Sequence, residues 1–200
     1  LGVLQKQSKN ISKNSDIDLA LVTDGLRAER EQGITIDVAY KYFATDKRKF
    51  IIADAPGHEQ YTRNMVTGVS NSDLIIILID ARHGVTTQTK RHASIGSLIG
   101  LKKAIVAINK MDLEDYSEEI FTQIKNDFEA LLPQLNYDEV YYVPISALVG
   151  DNIVSLSENT PWYKGQSILS LLETITIASQ ANLPARFQVQ YVIRPQEETL

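Results

Sequence analysis

Three runs along the chain are apolar at nearly every position: residues 74–79 (Leu-Ile-Ile-Ile-Leu-Ile), 104–108 (Ala-Ile-Val-Ala-Ile) and 140–145 (Val-Tyr-Tyr-Val-Pro-Ile). Strand-sized runs of this kind predict strands buried on both faces, the setting of a parallel sheet. Between and around them apolar residues recur at helical spacing, which predicts helices over 59–70, 88–99, 117–132 and 168–175. In the third of these, Ile120, Phe121, Ile124, Phe128, Leu131 and Leu132 share one face. Glu118 and Glu119 suit its positive N-terminal end. Upstream, residues 38–43 alternate, 45–48 turn the chain and 50–53 form a second short run, together a hairpin. Strands and helices that take turns in this way predict an α/β fold, a mostly parallel sheet with helices on both faces.

The two ends depart from that pattern. Residues 6–15 are polar without a period and read as a loop. Residues 16–22 form a short helical turn at best. Near the other end Phe187, Val189 and Tyr191 alternate with Gln188 and Gln190, which predicts a strand with one apolar face after a linker at 179–184. We therefore expect one domain over 1–180 and the start of a β domain over 185–200. A first residue that is leucine, and an end just past a new strand, read as a fragment cut at both ends.

Composition narrows the classes. The 200 residues are 44% hydrophobic and 22% charged, ordinary for a globular domain. A net charge of −5 argues against a broad nucleic-acid footprint. With no cysteine, disulfides and thiolate metal sites are excluded within this stretch, which fits a reducing cytoplasm. No run reaches the length of a membrane span, and no signal peptide is visible.

In a sheet of this kind, ligands sit at the loops that leave the carboxyl ends of the strands. The first distinctive loop is Asp54-Ala-Pro-Gly57-His58. A carboxylate at a strand end can hold Mg²⁺ through water. A glycine there lets its N–H approach a γ-phosphate with no Cβ in the way. Asp, Pro and Gly are also plain turn formers. The second loop is Asn109-Lys-Met-Asp112. The Asp112 carboxylate can accept two bonds from adjacent N–H groups, a pair that guanine offers on N1 and N2 and adenine does not. Asn109 would serve the N7/O6 edge, and Lys110 would lie along the ring. The third loop is Ser146-Ala147-Leu148, where a backbone N–H could reach O6. Each is weak alone; all three in this order, each after a buried strand, are the guanine-nucleotide constellation.

Two further residues join it. Thr35, in Gly33-Ile-Thr35-Ile-Asp37, has a hydroxyl that can ligate Mg²⁺ while its backbone meets the γ-phosphate. In isolation it reads better as a strand-entry threonine; beside the other three loops that becomes the minor reading. His58 directly follows the glycine expected at the γ-phosphate, so it is placed to position the attacking water. His83 and His92 have no such placement and read as surface or packing residues. The three histidines are not spaced as a metal site.

At these residues the chain resembles the translation-factor-like GTPases. Asp54-Ala-Pro-Gly-His58, Gly33-Ile-Thr-Ile36 and Gly84-Val-Thr-Thr-Gln-Thr-Lys-Arg-His92 all match that superfamily. Within it the chain is most similar to the large-subunit GTPases of bacterial sulfate adenylyltransferase. The similarity lies in residues 24–40 and 56–65, in Gly150-Asp-Asn-Ile153 with Pro161-Trp-Tyr-Lys-Gly165, and in residues 187–192 before Arg194-Pro195. Elongation factors of the 1-alpha and Tu types share the general motifs and differ in the Glu59-Gln-Tyr-Thr-Arg63 stretch. Pro161-Trp-Tyr-Lys164 serves only as a family marker and otherwise reads as a packed surface loop.

The resemblance implies a P-loop GTPase-type fold followed by a β-barrel domain, with GTP and Mg²⁺ as cofactors. It implies an enzyme that couples GTP hydrolysis to forming adenosine 5′-phosphosulfate from ATP and sulfate. Adenylyl transfer itself would belong to a separate small subunit, in a cytoplasmic heterodimer with no membrane and no nucleic-acid partner. The alternatives are a translation elongation factor and a GTP-binding scaffold that does not hydrolyse. One departure is large. The phosphate-binding loop Gly-x-x-x-x-Gly-Lys-Ser/Thr does not occur in the 200 residues. That loop supplies the N–H cradle, a lysine on the phosphates and one Mg²⁺ ligand. In this family it belongs upstream, so the expected reading is a domain truncated at its N-terminus that binds GTP poorly alone.

Overall fold

The computed structural model describes residues 35–177, 187 and 189–191. The polar opening, the turn at 16–22, the residues before Thr35, the linker at 179–184 and residues 192–200 lie outside the described residues.

Strands β1 (Ala39–Ala44) and β2 (Lys49–Asp54) form the expected antiparallel hairpin, with Ala39 opposite Asp54. After a 3-10 turn at Glu59–Tyr61, helix α1 spans Thr62–Ser70. Strand β3 (Ile75–Asp80), helix α2 (Thr87–Ile99) and strand β4 (Lys103–Asn109) follow. Helix α3 (Glu118–Glu129), strand β5 (Glu139–Pro144) and helix α4 (Ile168–Thr174) complete the described part. Strands β3, β4 and β5 pair in that order, all parallel, so their carboxyl ends lie side by side.

Local chemistry starts the helices. Thr86 and Thr89 form a reciprocal capping box at α2. Ser117 and Ser167 each accept from a first-turn N–H at α3 and α4. Gly100, at φ 103°, ends α2 in the left-handed region that a side chain would resist.

The middle strand explains the layers. In β4 Ala104, Val106 and Ile108 face one core with Met65 and Val69 of α1, Ala93 of α2, and Phe121, Ile124 and Phe128 of α3. Ile105 and Ala107 face the other, with Val143, Ile145, Ile168 and Leu171. Helices therefore cover both faces, as the alternation predicts. Burying one side chain such as Phe128, with none of its surface exposed, is worth about 1.5–3 kcal/mol.

Strand β3 corrects the expectation of burial on both faces. Ile75, Ile77 and Ile79 are buried, but Ile76 and Leu78 are 42% and 63% exposed. The second core is built over β4 and β5 and does not reach the outer side of β3. The described hairpin also forms a sheet of its own, separate from the three parallel strands. Its turn is fastened to α4: Lys47 pairs with Glu173 at 2.8 Å, and Arg48 donates to the carbonyls of Leu172 and Ile175. A guanidinium at the negative end of a helix is favourable there. Phe187, Val189 and Tyr191, the described residues of the expected strand there, are exposed and carry no strand pairing among the described residues.

Candidate functional site

The parallel register sets Asp80 beside Asn109 and Ile108 beside Pro144, so three loops leave one edge together. Backbone bonds continue the alignment past the strands. Ala81 N–H donates to Asn109 O at 2.9 Å, Ile145 N–H to Ile108 O at 2.7 Å, and Met111 N–H to Ile145 O at 3.2 Å.

Asn109, the last residue of β4, uses its side-chain oxygen twice. Oδ1 accepts from the Lys110 N–H at 2.8 Å and from the Ala147 N–H at 2.9 Å. Its NH₂ group has no hydrogen bond among the described residues. Lys110 holds a left-handed backbone, φ 66°, and its ammonium reaches across to Asp80 Oδ2 at 2.8 Å. The fully buried Met111 anchors the 3-10 turn Met111–Glu114 below. Asp112, half-buried on that turn, carries no carboxylate hydrogen bond among the described residues. Ser146 is fully buried and its Oγ accepts from Val149 N–H, whereas Ala147 is exposed and Leu148 is 89% exposed. The Ala147 N–H is spent on Asn109, and the Leu148 N–H of that loop has no hydrogen bond among the described residues.

A second layer holds these loops, built largely from the two segments read above only as family markers, residues 150–153 and 161–165. Tyr116 Oη donates to Asp151 Oδ2 at 2.5 Å, joining the loop after β4 to the loop after β5. The Asp151 carboxylate that accepts this proton pushes the Tyr116 phenol up to about 12. Asn152, fully buried at φ 57°, donates to Pro144 O at 2.7 Å and Thr160 Oγ1 at 2.9 Å, and accepts from Ser157 N–H at 2.8 Å. Trp162 Nε1–H donates to the Tyr116 carbonyl, and its ring lies 5.2 Å from that of Phe121. The Pro161-Trp-Tyr-Lys164 segment is thus a buttress of the base-side loops rather than only a surface loop.

The other half lies at the end of β2. Asp54 closes the strand, Pro56 is buried, and Gly57 and His58 are exposed. Two side chains of α2 hold this loop. Gln88 Nε2 donates to the Gly57 carbonyl and lies 2.9 Å from His92 Nε2, which is itself 3.2 Å from that carbonyl. Arg91 donates to Gln88 Oε1 and pairs with Glu59 at 3.0 Å. Because Arg91 takes the amide oxygen, the Gln88 NH₂ is the group that faces His92, whose Nε2 then accepts. Burial lowers the His92 pKa, offset in part by the Gly57 carbonyl and reinforced by Arg91. His92 is therefore a contact of the Asp54–His58 loop and not simply a packing residue. His83 fits the surface reading, exposed and 3.6 Å from Asp80.

Among the described residues a Cβ placed on Gly57 would meet His92 Cε1 alone, at an ordinary 3.7 Å, so none of them demands glycine there. Gly57, His58, Glu59, Gln60 and Gln88 line an open cleft. Thr35 is half-buried, and Asn64 of α1 holds the adjacent Ile36 carbonyl at 2.7 Å. Among the described residues no group of three or more His, Asp or Glu side chains is arranged to cage a metal ion. Among the same residues no helix is long and apolar enough to cross a membrane.

Known proteins share this arrangement. A selenocysteine-specific bacterial elongation factor, EF-Sec, superposes with a TM-score of 0.59 at 25% identity, over 86% of this chain and 27% of its own. The SelB elongation factor of Methanococcus maripaludis, solved with the GTP analogue GPPNHP, gives 0.58 at 27% identity over 72% of this chain and 30% of its own. Curated relatives are much nearer in sequence. A protein of Pseudoalteromonas atlantica is 59% identical over 98% of this chain, and one of Cellvibrio japonicus 62% identical over 94%. Both are named sulfate adenylyltransferase subunit 1, and the chain spans 42% and 40% of their lengths. The family model of the elongation factor Tu GTP-binding domain matches residues 1–179. With three aligned strand-end loops and a match over nearly its whole length, the chain belongs to the elongation factor Tu GTP-binding domain family.

Proposed function

We propose that this chain is the GTP-binding and GTP-hydrolysing part of a sulfate-activating enzyme, a large subunit that couples GTP hydrolysis to making adenosine 5′-phosphosulfate. The observation that carries the nucleotide reading is the joining of Asn109, Lys110 and Ala147 at one strand edge, with the unbonded Asp112 carboxylate beside them. Identity of 59–62% to proteins named sulfate adenylyltransferase subunit 1 carries the choice of pathway over the elongation-factor alternative.

The residues present fit a guanine base. The Asn109 amide offers donors for the N7/O6 edge, Asp112 offers an acceptor pair for N1 and N2, and the Leu148 N–H is a further donor. They fit the γ-phosphate end in part. Gly57 is exposed and carries no Cβ to block approach to its N–H, and Thr35 and Asp54 supply the oxygen ligands that Mg²⁺ favours. When bound, Mg²⁺ neutralises charge on the phosphates. His58, exposed beside Gly57, positions water for attack. The Gln88 NH₂ donates to the Gly57 carbonyl and so fixes the direction of His58.

The partner is a small subunit that transfers the adenylyl group from ATP, and the complex works in the cytoplasm. In the full-length protein with that subunit, adding GTP raises the yield of adenosine 5′-phosphosulfate from ATP and sulfate. Equal yields with and without GTP overturn the coupling. Asp112→Asn lowers the preference for GTP over ATP in competition binding; an unchanged preference removes Asp112 from base recognition.

A further inference from the structure

Asp80 has no part in the site as its motifs define it, yet it is the group that Lys110 touches. It ends β3 next to Asn109 in the parallel register, in the row of strand ends where the base is read. Its carboxylate accepts from Lys110 Nζ at 2.8 Å and, through both oxygens, from the Arg82 guanidinium at 2.9 and 2.6 Å. The Arg82 N–H adds a fourth bond at 3.0 Å. His83 Nδ1 stands at 3.6 Å. Only 22% of the Asp80 side chain is exposed.

We infer that Asp80 is a positioning residue for guanine-nucleotide binding, which holds the Lys110 side chain in the place where its stem lies along the base. The inference rests on the guanine reading of Asn109–Asp112 proposed above. Lys110 has a long, flexible side chain that leaves a left-handed backbone position at the edge of solvent. Unheld, such a chain loses rotamer freedom each time a ligand orders it. Asp80 ends β3 beside Asn109, and its Oδ2 draws the Lys110 ammonium across the strand ends from that fixed place. The ammonium is then engaged before the nucleotide arrives, and the methylene stem is free to cover one face of a planar ring. A carboxylate so strongly paired stays ionised at any working pH, with Arg82 as the largest cause and Lys110 adding to it.

A merely structural Asp80 makes a different prediction. If its task were only to staple the turn after β3 through Arg82, then Arg82→Ala would reproduce Asp80→Asn and Lys110 would be irrelevant. The test uses the full-length protein and the dissociation constants and off-rates of a fluorescent GDP, with Lys110→Ala, Asp80→Asn, the double variant and Arg82→Ala. Asp80→Asn weakens GDP and GTP alike by about tenfold through a faster off-rate, the scale of one charge-assisted bond. Turnover at saturating GTP stays within about threefold, because the bond acts on binding of both nucleotides and not on the chemical step. The double variant loses less than the product of the two single losses, because part of what Lys110 contributes depends on Asp80. Arg82→Ala changes affinity by less than about twofold, since the Lys110 bond remains. Independent, multiplying effects of Asp80→Asn and Lys110→Ala overturn the inference, as does an Arg82→Ala variant equal to Asp80→Asn. If the unaltered protein shows no preference for guanine over adenine nucleotides, the base reading itself has failed. If that preference is present and Asp80→Asn binds normally, only the role of Asp80 falls.

Discussion

Asn109 Oδ1 accepts the Ala147 N–H at 2.9 Å, a bond that joins two loops 38 residues apart in sequence. The same oxygen accepts the Lys110 N–H, so one side-chain atom sets the spacing of the loops after β4 and β5. Asn109→Ala removes both bonds. At about 0.5–1.5 kcal/mol for each, guanine-nucleotide affinity in the full-length protein falls about tenfold. Titration with fluorescent GDP checks this, and unchanged affinity would remove Asn109 from the site.

Stability of the same region depends on Asn152. It makes three hydrogen bonds from a fully buried position at φ 57°, a conformation that asparagine tolerates better than alanine. Asn152→Ala leaves Pro144 O and Thr160 Oγ1 short of a donor, at a cost of about 3 kcal/mol or more. Urea denaturation measures it. A loss below about 1 kcal/mol would show that water replaces all three bonds.

The His92 ring gives stability a pH signature. Burial, the larger cause, puts its folded pKa below the ordinary 6.5. As pH falls through 6.5 the unfolded chain takes up a proton that the folded one refuses, so the unfolded state gains and stability declines. The decline stops once pH is below the folded pKa. His92→Gln lacks this slope, and the stability difference between the two proteins changes over that window. Parallel stability curves from pH 7.5 to 5 would contradict the assignment.

Catalysis should separate from binding at His58. Its side chain is exposed in the cleft beside Gly57 rather than packed in the core, so removing it leaves the fold intact. His58→Ala slows GTP hydrolysis by about 100-fold or more. GTP affinity stays within about threefold, because the lost interaction belongs to the transition state. A parallel loss of both makes His58 structural.

The residues that were legible in the sequence are those whose signal is local. Apolar runs marked β3, β4 and β5 to within a residue or two, and helical spacing marked α2 and α3. The Asp54–His58, Asn109–Asp112 and Ser146–Leu148 motifs each lie at or just past the carboxyl end of a strand, although β2, with Ile51 and Ile52 exposed, is not the buried strand expected before the first. What was not legible is set by contacts between distant segments. Asp80 meets Lys110 30 residues away, and His92 meets Gly57 35 residues away. No periodicity encodes either pair. Likewise Leu74-Ile-Ile-Ile-Leu-Ile79 is apolar throughout, and nothing in that run tells the buried Ile75, Ile77 and Ile79 from the exposed Ile76 and Leu78.

The most direct test of the whole account is GTP turnover by the full-length protein with its small subunit, measured with and without ATP plus sulfate. The account predicts strong stimulation that requires both substrates together. No stimulation by them, with acceleration by ribosomes instead, would contradict the sulfate-activating role and place the chain among the elongation factors.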